Sequence, residues 1–290
     1  MIHEIPLERR TLHGHFSRGL PPVLAVDPGD SVRFSTLDAG WHALPEQQFF
    51  ADLDPELDAG HALVGPIEVR GARAGGTLEV RIDTVRVGNW GITFADEEGM
   101  LWSLDAEGAR GSGGPAGATV ALAPFLGVLG MPPPEAGVHS TGPPRRFGGN
   151  IDCKELVAGT TLFLPIPVDG ACFSAGDGHA RQGDGEVSGT AIECPLERAE
   201  LTLELRDDLE LETPIARTAE AWIAFGFDED LDRAASVATD AMLGLMQREL
   251  GLPRRDALAL ASVVVDLRVT QVVNGVKGVH AVLRHDAIRI

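Results

Sequence analysis

One glycine-rich stretch concentrates the side chains that could perform chemistry. Residues 174–193 read SAGDGHARQGDGEVSGTAIE, and Arg181 is the only strongly basic side chain among several carboxylates. Each Gly-Asp-Gly tripeptide places a short carboxylate on backbone that glycine leaves free to adopt unusual dihedral angles. Asp, Glu and His at this density suit a divalent cation such as Zn²⁺, Mn²⁺ or Ca²⁺. The candidates are Asp177, His179, Asp184 and Glu186, and exposed Asp-Gly turns are the alternative interpretation.

A second candidate group is Gly148-Gly149-Asn150-Ile151-Asp152. Asn150 and Asp152 are two positions apart, so on an extended chain they point to the same face. Asp152 could serve as a ligand or a base, and Asn150 could hold a substrate carbonyl or amide. The alternative is an Asx-stabilised turn that enters a strand.

Three further polar residues could reach a common site from other segments. Asp38 lies in LDAGW, and His61 precedes the apolar run ALVGPIEV. His139 lies in the Gly/Pro-rich stretch 127–150, where, with Gly149, it could line a substrate pocket. A structural role for His61 and simple solvent exposure for His139 are the alternatives.

The elements that must position these residues are predicted to be mostly β. The chain of 290 residues has 35 Gly, 19 Pro and few aromatic residues, which favours short strands joined by tight turns. Val23–Val26 and Val32–Phe34 flank the turn Asp27-Pro28-Gly29-Asp30, a hairpin signal. Alternating apolar residues predict strands around residues 78–82 and 201–205.

Two helices are predicted late in the chain. Apolar residues recur at helical spacing between Asp228 and Gly251, and a second helix is predicted from about Pro253 to Leu267. Two strands should follow across the turn Asn274-Gly275. The predicted class is therefore α+β, with a helical pair covering one face. We predict a β-rich part at 1–102, a flexible connection at 103–118, and a second β-rich part with the helices at 119–290, together forming one compact catalytic unit.

Charge and cysteine usage restrict partners and compartment. The net charge of −19 would repel phosphate backbones and anionic lipid, so neither nucleic acid nor a membrane is an expected partner. The N-terminus MIHEIPLERR has no signal-peptide pattern. Cys153, Cys172 and Cys194 are odd in number and lack zinc or redox spacing. Reduced cysteines and a cytoplasmic protein are therefore expected.

Taken together, these segments resemble the acetamidase/formamidase family. The similarity runs in the family's order through most of the chain and is most specific in the central block. The matching segments are HALVGPIEVRGARAGGTLEVRI (61–82), APFLGVLGMPP (123–133), GGNIDCKELVAGTTLFLPIPVDGACFSAGDGHARQGDGEVSGTAIECPLE (148–197), and the later GFDEDLDRAA and LASVVVDLRVTQVVNGVKGVHAVL. The resemblance implies a layered β/β/α fold, a homo-oligomer (a dimer or larger) and metal-dependent hydrolysis of the C–N bond of short amides such as formamide or acetamide.

The resemblance also suggests roles for the candidate residues. The metal, with Zn²⁺ expected before Ca²⁺ or Mn²⁺, is assigned to Asp38, His61, Asp152, Asp177 and His179. Glu186 is expected to act as general base, with Asp184 and Asn150 as the other catalytic residues. Gly149 and His139 are not part of what the resemblance implies; from their place in the Gly/Pro-rich stretch they are the candidates for contact with a small neutral amide substrate.

Two other functions are compatible with the same residues. The substrate could be a larger or cyclic amide, such as a lactam, or the protein could be a metal-binding β protein without catalysis. Covalent amidase chemistry is disfavoured because Cys153-Lys154-Glu155 are consecutive and cannot converge as a Cys/Glu/Lys triad, and the paired serines of serine-lysine amidases are missing.

Overall fold

The structure is a computed structural model that describes residues 1–45, 47–105 and 109–289. Most of the regular structure is β. The strands are, in chain order, β1 Ile2–Glu4, β2 Leu12–His13, β3 Leu24–Val26, β4 Asp30–Phe34, β5 His42–Leu44, β6 Gln47–Gln48, β7 Leu63–Val69, β8 Thr77–Val87, β9 Trp90–Ala95, β10 Glu98–Leu104, β11 Arg110–Gly113, β12 Ala118–Ala121, β13 Phe125–Gly130, β14 Pro144–Arg145, β15 Gly148–Asn150, β16 Thr161–Pro165, β17 Phe173–His179, β18 Leu196–Arg206, β19 Ile215–Arg217, β20 Ala221–Asp228, β21 Val265–Gln271 and β22 Lys277–Arg284. The α-helices are α1 Leu231–Leu250 and α2 Arg254–Val264, and short 3₁₀ turns span Arg9–Thr11 and Pro115–Gly117.

Two large sheets draw strands from both halves of the chain. Nine strands form one sheet in the order β1-β4-β18-β8-β16-β19-β20-β22-β21. Six strands of the second sheet follow the order β14-β15-β13-β17-β7-β2, and β3 pairs in parallel with β7. A smaller four-stranded antiparallel sheet has the order β12-β11-β10-β9.

The hydrophobic core lies in two layers on either side of the nine-stranded sheet. One apolar cluster joins this sheet to the second sheet through residues such as Val80, Leu201, Ile67 and Phe173. A second cluster joins its other face to the helices through Phe163, Ala224, Ala238 and Met242. The predicted β/β/α layering, with a helical pair on one face, is confirmed.

Helix α1 begins and ends where its sequence signals lie. The side chain of Asp230 accepts a hydrogen bond from the backbone N–H of Arg233, an N-cap that satisfies one free donor of the first turn. Gly251 follows the last turn with φ of 66°, the left-handed conformation that glycine adopts without strain. The Asn274-Gly275 turn also lies where predicted, between the paired strands β21 and β22.

The structure differs from the sequence prediction in three places. Helix α2, predicted to extend to about Leu267, ends at Val264, and residues 265–267 already belong to strand β21, where they pair with β22. The hairpin predicted for 23–34 is wrong: the turn forms, with Asp30 N–H donating to the Asp27 carbonyl, but β3 joins the second sheet and β4 the nine-stranded one. The segment 103–118, predicted to be a flexible connection, carries β11 and leads into β12, which pair antiparallel through backbone groups that need no apolar periodicity. Residues 106–108 of that segment lie outside the described residues.

A buried histidine makes folding stability depend on pH. His13 is buried, with Nδ1–H donating to the His15 carbonyl at 2.6 Å and Nε2 lying 2.9 Å from the Ser174 hydroxyl. Burial lowers the pKa of His13 to about 4, and the unfolded chain therefore binds the proton more tightly. The free energy of unfolding should fall by about 3 kcal/mol from this residue as pH drops from ~6.5 to ~4. Urea unfolding at several pH values should show a shallower pH dependence for His13→Gln than for the parent protein; identical slopes would contradict this.

The described residues contain no helix that is long and apolar enough to cross a membrane.

Candidate active site

A cavity of about 460 Å³ contains most of the polar residues singled out in the sequence. One side of it is acidic and rich in histidine, and the other side is apolar. The polar lining residues are Asp38, His42, His61, Asn150, Asp177, His179, Glu186, Thr190, Glu193 and Asn274. The cavity falls in the size range of enzyme and ligand pockets.

Strand β17 supplies the centre of the polar side. Asp177 and His179 are alternate residues of this strand, so their side chains lie on one face, and β13 and β7 flank the strand. Asp177 itself has φ of 61°. Its neighbour Gly178 allows the backbone of Cys194 to approach closely, since a Cβ at Gly178 would lie 2.5 Å from the Cys194 carbonyl oxygen. Glycine here makes room for neighbouring backbone, and the aspartate carries the unusual dihedral angle.

The hydrogen bonds of His179 leave a lone pair among carboxylates. Gln182 donates through Nε2 to the Asp152 carbonyl at 2.7 Å, so its Oε1 accepts from His179 Nδ1–H at 3.0 Å. In the neutral ring, Nε2 is then an acceptor, yet it lies 3.3 Å from Asp177 Oδ2 and 3.1 Å from Glu193 Oε2. Three acceptors at this separation require a cation between them, either a proton on the ring or a metal ion.

Asp152 and Glu186 form a second group around the same histidine. Ligand atoms of Asp152, His179 and Glu186 lie within 4.8 Å of one another, as do those of Asp177, His179 and Glu193. Asn274 Nδ2 donates to Asp152 Oδ2 at 2.8 Å.

Each of the four carboxylates has one buried oxygen without a hydrogen-bond partner: Asp152 Oδ1, Asp177 Oδ1, Glu186 Oε2 and Glu193 Oε2. Orphaned buried acceptors are costly unless something positive binds them. The chemistry of this donor set therefore fits a divalent cation.

Like Asp177, two more of these acidic residues have backbone with a positive φ. Asp152 has φ of 51° and Glu186 has φ of 46°, in the left-handed region that non-glycine residues seldom adopt. Such strain costs of order 1–3 kcal/mol per residue and persists mainly where function requires it.

Burial and mutual repulsion control the ionisation of the cluster. Burial, reinforced by the neighbouring Glu186, raises the pKa of Asp152 well above its ordinary value. Burial likewise raises the pKa of Glu186 to about 7. Burial disfavours the charged forms of both Asp177 and His179, but the attraction between opposite charges outweighs it. The pKa of Asp177 is therefore lowered, chiefly by His179. The pKa of His179 is raised well above its usual range by Glu193 and Asp177.

His61 and Asp38 approach the cluster from the first part of the chain. Thr141 Oγ1 accepts from the His61 backbone N–H at 3.0 Å and lies 2.8 Å from His61 Nδ1, so Nε2 faces Asp177 Oδ2 at 4.0 Å. Metal-binding histidines are commonly held in this way through their other nitrogen. Asp38 lines the cavity with its carboxylate occupied: Oδ1 accepts from the His42 backbone N–H at 2.6 Å, and His42 Nδ1 lies 3.2 Å from both oxygens.

Four predicted site residues are not part of the cavity lining: Asp152, Asp184, His139 and Gly149. Of these, Asp152 still belongs to the cluster, because its carboxylate lies beside His179 and Glu186. The Asp184 carboxylate pairs with Lys154 Nζ at 2.8 Å. His139 pairs through its backbone with Phe16, and its ring bonds to the Glu135 carbonyl. Gly149 is buried in strand β15, where it pairs with Leu129.

Sequence reasoning missed several residues that the fold brings to the cavity. Glu193 counted only toward the acidic content of its stretch, and Asn274 was interpreted only as part of a turn. His42 had a detectable signal, since it follows Asp38 by four residues. The hydrophobic side is formed largely by strands β9 and β10. Its residues carry no sequence signal of a site, because the same residue types also suit an ordinary hydrophobic core.

Comparisons with known proteins point to one family. The profile of the Acetamidase/Formamidase family matches residues 3–107 and 135–283. A Schizosaccharomyces pombe protein provisionally named a formamidase is 29% identical over 248 residues, covering 62% of this chain and 60% of that protein. The chain thus spans about 60% of the length of that curated relative.

Solved structures show the same fold. An acetamidase from Bacillus halodurans is 28% identical, with 97% of each chain covered and a TM-score of 0.85. An acetamidase from Yersinia enterocolitica is 25% identical, with 100% of this chain and 94% of that chain covered and a TM-score of 0.87.

Proposed function

The chain belongs to the acetamidase/formamidase family, and from this premise we propose that it hydrolyses the C–N bond of short primary amides to a carboxylate and ammonia with the help of a divalent cation. The observation that carries the proposal is the convergence of the His179 Nε2 lone pair with two carboxylates in a cavity large enough for a substrate. The names of the relatives, formamidase and acetamidase, support the choice of substrate.

The cation would be held by Asp152, Asp177 and His179, with His61 and Glu193 completing the group. These residues supply unpartnered carboxylate oxygens of the buried cluster and imidazole nitrogens that face it. A bound Zn²⁺, Mn²⁺ or Ca²⁺ would polarise the amide carbonyl and increase the acidity of a water molecule. Asp38 is left out of this set because both of its oxygens contact His42, and we assign it to orienting that ring.

Glu186 is proposed as general base. Its carboxylate lines the cavity and has an unpartnered oxygen, so it can accept a proton from the attacking water and donate it to the leaving nitrogen. Proton delivery matters because an amide nitrogen is a poor leaving group unless it is protonated. Asp184 receives no part in the reaction, since it pairs with Lys154 outside the cavity lining.

Asn150 is proposed to orient the amide. It is buried, it lines the cavity, and its Oδ1 has no hydrogen-bond partner. That oxygen can accept an N–H of the substrate, and the Asn150 amide can donate to the developing oxyanion. A single donor of this kind is worth roughly 3–4 kcal/mol in the transition state.

The test is ammonia release from formamide, acetamide and propionamide, with opening of a γ-lactam ring measured in parallel. We expect ammonia from the linear amides in the metal-loaded protein. Absence of any turnover, together with unfolding on metal removal, would instead favour the non-catalytic metal-binding protein. A homo-oligomer and a cytoplasmic location stay predictions from the sequence.

A further inference from the structure

The hydrophobic side of the cavity is built by one face of the β9–β10 hairpin. Trp90, Ile92 and Phe94 alternate along β9, so their side chains share a face, and Leu101 lies directly opposite Ile92 on β10. These four residues, the apolar wall, all line the cavity. Trp90 Nε1 donates to the Ala43 carbonyl at 2.9 Å, so its one polar atom is satisfied and the ring offers only hydrocarbon.

Gly99 on β10 leaves room for two side chains of the apolar wall. Gly99 lies opposite Phe94, and a Cβ there would lie 2.8 Å from Ile92 Cδ1 and 3.0 Å from Phe94 Cε1. The side chains of β9 therefore lean across the position that a larger residue would fill.

Backbone hydrogen bonds fix the wall beside the polar cluster. Ile92 and Glu193 exchange two N–H···O bonds of 2.8 Å each, and Phe94 N–H donates to Thr190 Oγ1 at 3.0 Å. The acidic group and the hydrophobic surface are thus two sides of one cavity, at a fixed separation.

The cavity is larger than the smallest amides require. Acetamide fills the space of two or three water molecules at about 30 Å³ each, whereas the cavity holds about 460 Å³. Leu101 is 47% exposed although it is a large apolar side chain. Contact with this surface would lower the free energy of a substrate that carries a hydrocarbon group.

We infer that the apolar wall binds the acyl group of the substrate, and that it extends the proposed hydrolysis beyond the short amides to primary amides of acids with an aromatic or medium-length hydrocarbon chain, which the protein turns over more efficiently than acetamide. This inference rests on the proposed amide hydrolysis. The amide end lies against Asn150 and the acidic cluster, and the hydrocarbon end lies against the wall.

The first measurement compares substrates. Metal-loaded protein is assayed for ammonia release from acetamide, hexanamide and phenylacetamide. The kcat/KM for phenylacetamide should exceed that for acetamide by roughly ten- to a hundredfold, the effect expected from burying one aromatic ring. Equal or higher kcat/KM for acetamide would overturn the inference and leave the proposed hydrolysis intact.

The second measurement uses variants of the wall. Leu101→Ser and Phe94→Ser should each lower the phenylacetamide/acetamide ratio of kcat/KM by roughly tenfold. Leu101→Ser is the safer variant, because its half-exposed side chain contributes little to folding. Val263→Ser is the matched control: this valine is 78% exposed on helix α2, away from the cavity, and its loss should leave the ratio unchanged. An unchanged ratio in both wall variants would overturn the inference.

A binding measurement separates the two claims. Calorimetry should detect phenylacetamide binding that weakens in Leu101→Ser. Binding of this kind without ammonia from any amide would refute hydrolysis and retain the wall as a hydrocarbon-binding surface. Absence of both binding and turnover would refute both claims.

Discussion

Replacing Glu186 by Gln is expected to lower kcat for amide hydrolysis roughly 100- to 10,000-fold, the usual contribution of a positioned general base. The substitution keeps the size of the side chain and removes its capacity to take a proton. Because Glu186 lines the cavity and has an unpartnered buried oxygen, the loss should appear in kcat more than in KM. Steady-state ammonia release measures it, and metal content measured on the same samples shows whether the site is still loaded.

Glu197→Gln provides the control for that experiment. Glu197 has a 61% exposed side chain that pairs with Arg86 at 3.3 Å, and it does not line the cavity. Its turnover should match that of the parent protein. Full turnover by Glu186→Gln with metal bound would show that Glu186 is not the base.

Gly127→Ala is expected to weaken metal binding roughly 10- to 100-fold, the loss typical when the groups that support a metal site are disturbed. A Cβ at residue 127 would clash with Asp177 Oδ2, and it would lie 2.7 Å from Asp152 Oδ1 and 2.9 Å from His179 Cε1. One added methyl group therefore occupies the space into which the proposed ligands point. Titration of the metal-free variant with Zn²⁺ measures the change, and amide turnover at limiting metal should fall with it.

A second glycine of the site region serves as the matched control. Gly183 belongs to the same acidic stretch, and a Cβ there would meet nothing within 4 Å. Gly183→Ala should bind metal like the parent protein, and melting temperatures show whether either variant is misfolded. Parent-like metal affinity in a folded Gly127→Ala protein would mean that the ligands lie elsewhere.

The residues at the centre of the acidic cluster could be identified from the sequence more readily than the residues that surround them in the cavity. Asp177 and His179 could be placed on one face because alternation along a strand is a local property. Asp184 and Glu186 are two positions apart in the same acidic segment Asp184-Gly185-Glu186, yet only Glu186 lines the cavity. The left-handed backbone at Gly185 and Glu186 decides which side chain turns inward, and nothing in residue type reveals it.

Nonlocal pairing explains most of the remaining differences. The turn at Asp27–Asp30 forms as predicted, but turn chemistry does not determine which sheet each flanking strand joins. Asn274 reaches Asp152 across 122 positions of sequence because the β21–β22 hairpin ends above the site. The helices and their caps, by contrast, depend on neighbours within one or two turns, and α1 lies where its spacing predicted.

Metal dependence is the central claim, and one reconstitution series tests it most directly. The protein is stripped with a chelator, shown to be metal-free by mass spectrometry, and assayed for ammonia release from formamide and acetamide before and after addition of Zn²⁺, Mn²⁺ or Ca²⁺. We predict that stripping abolishes turnover while circular dichroism still reports a folded β-rich protein, and that at least one of these ions restores activity. Undiminished turnover by the folded, metal-free protein would contradict the account.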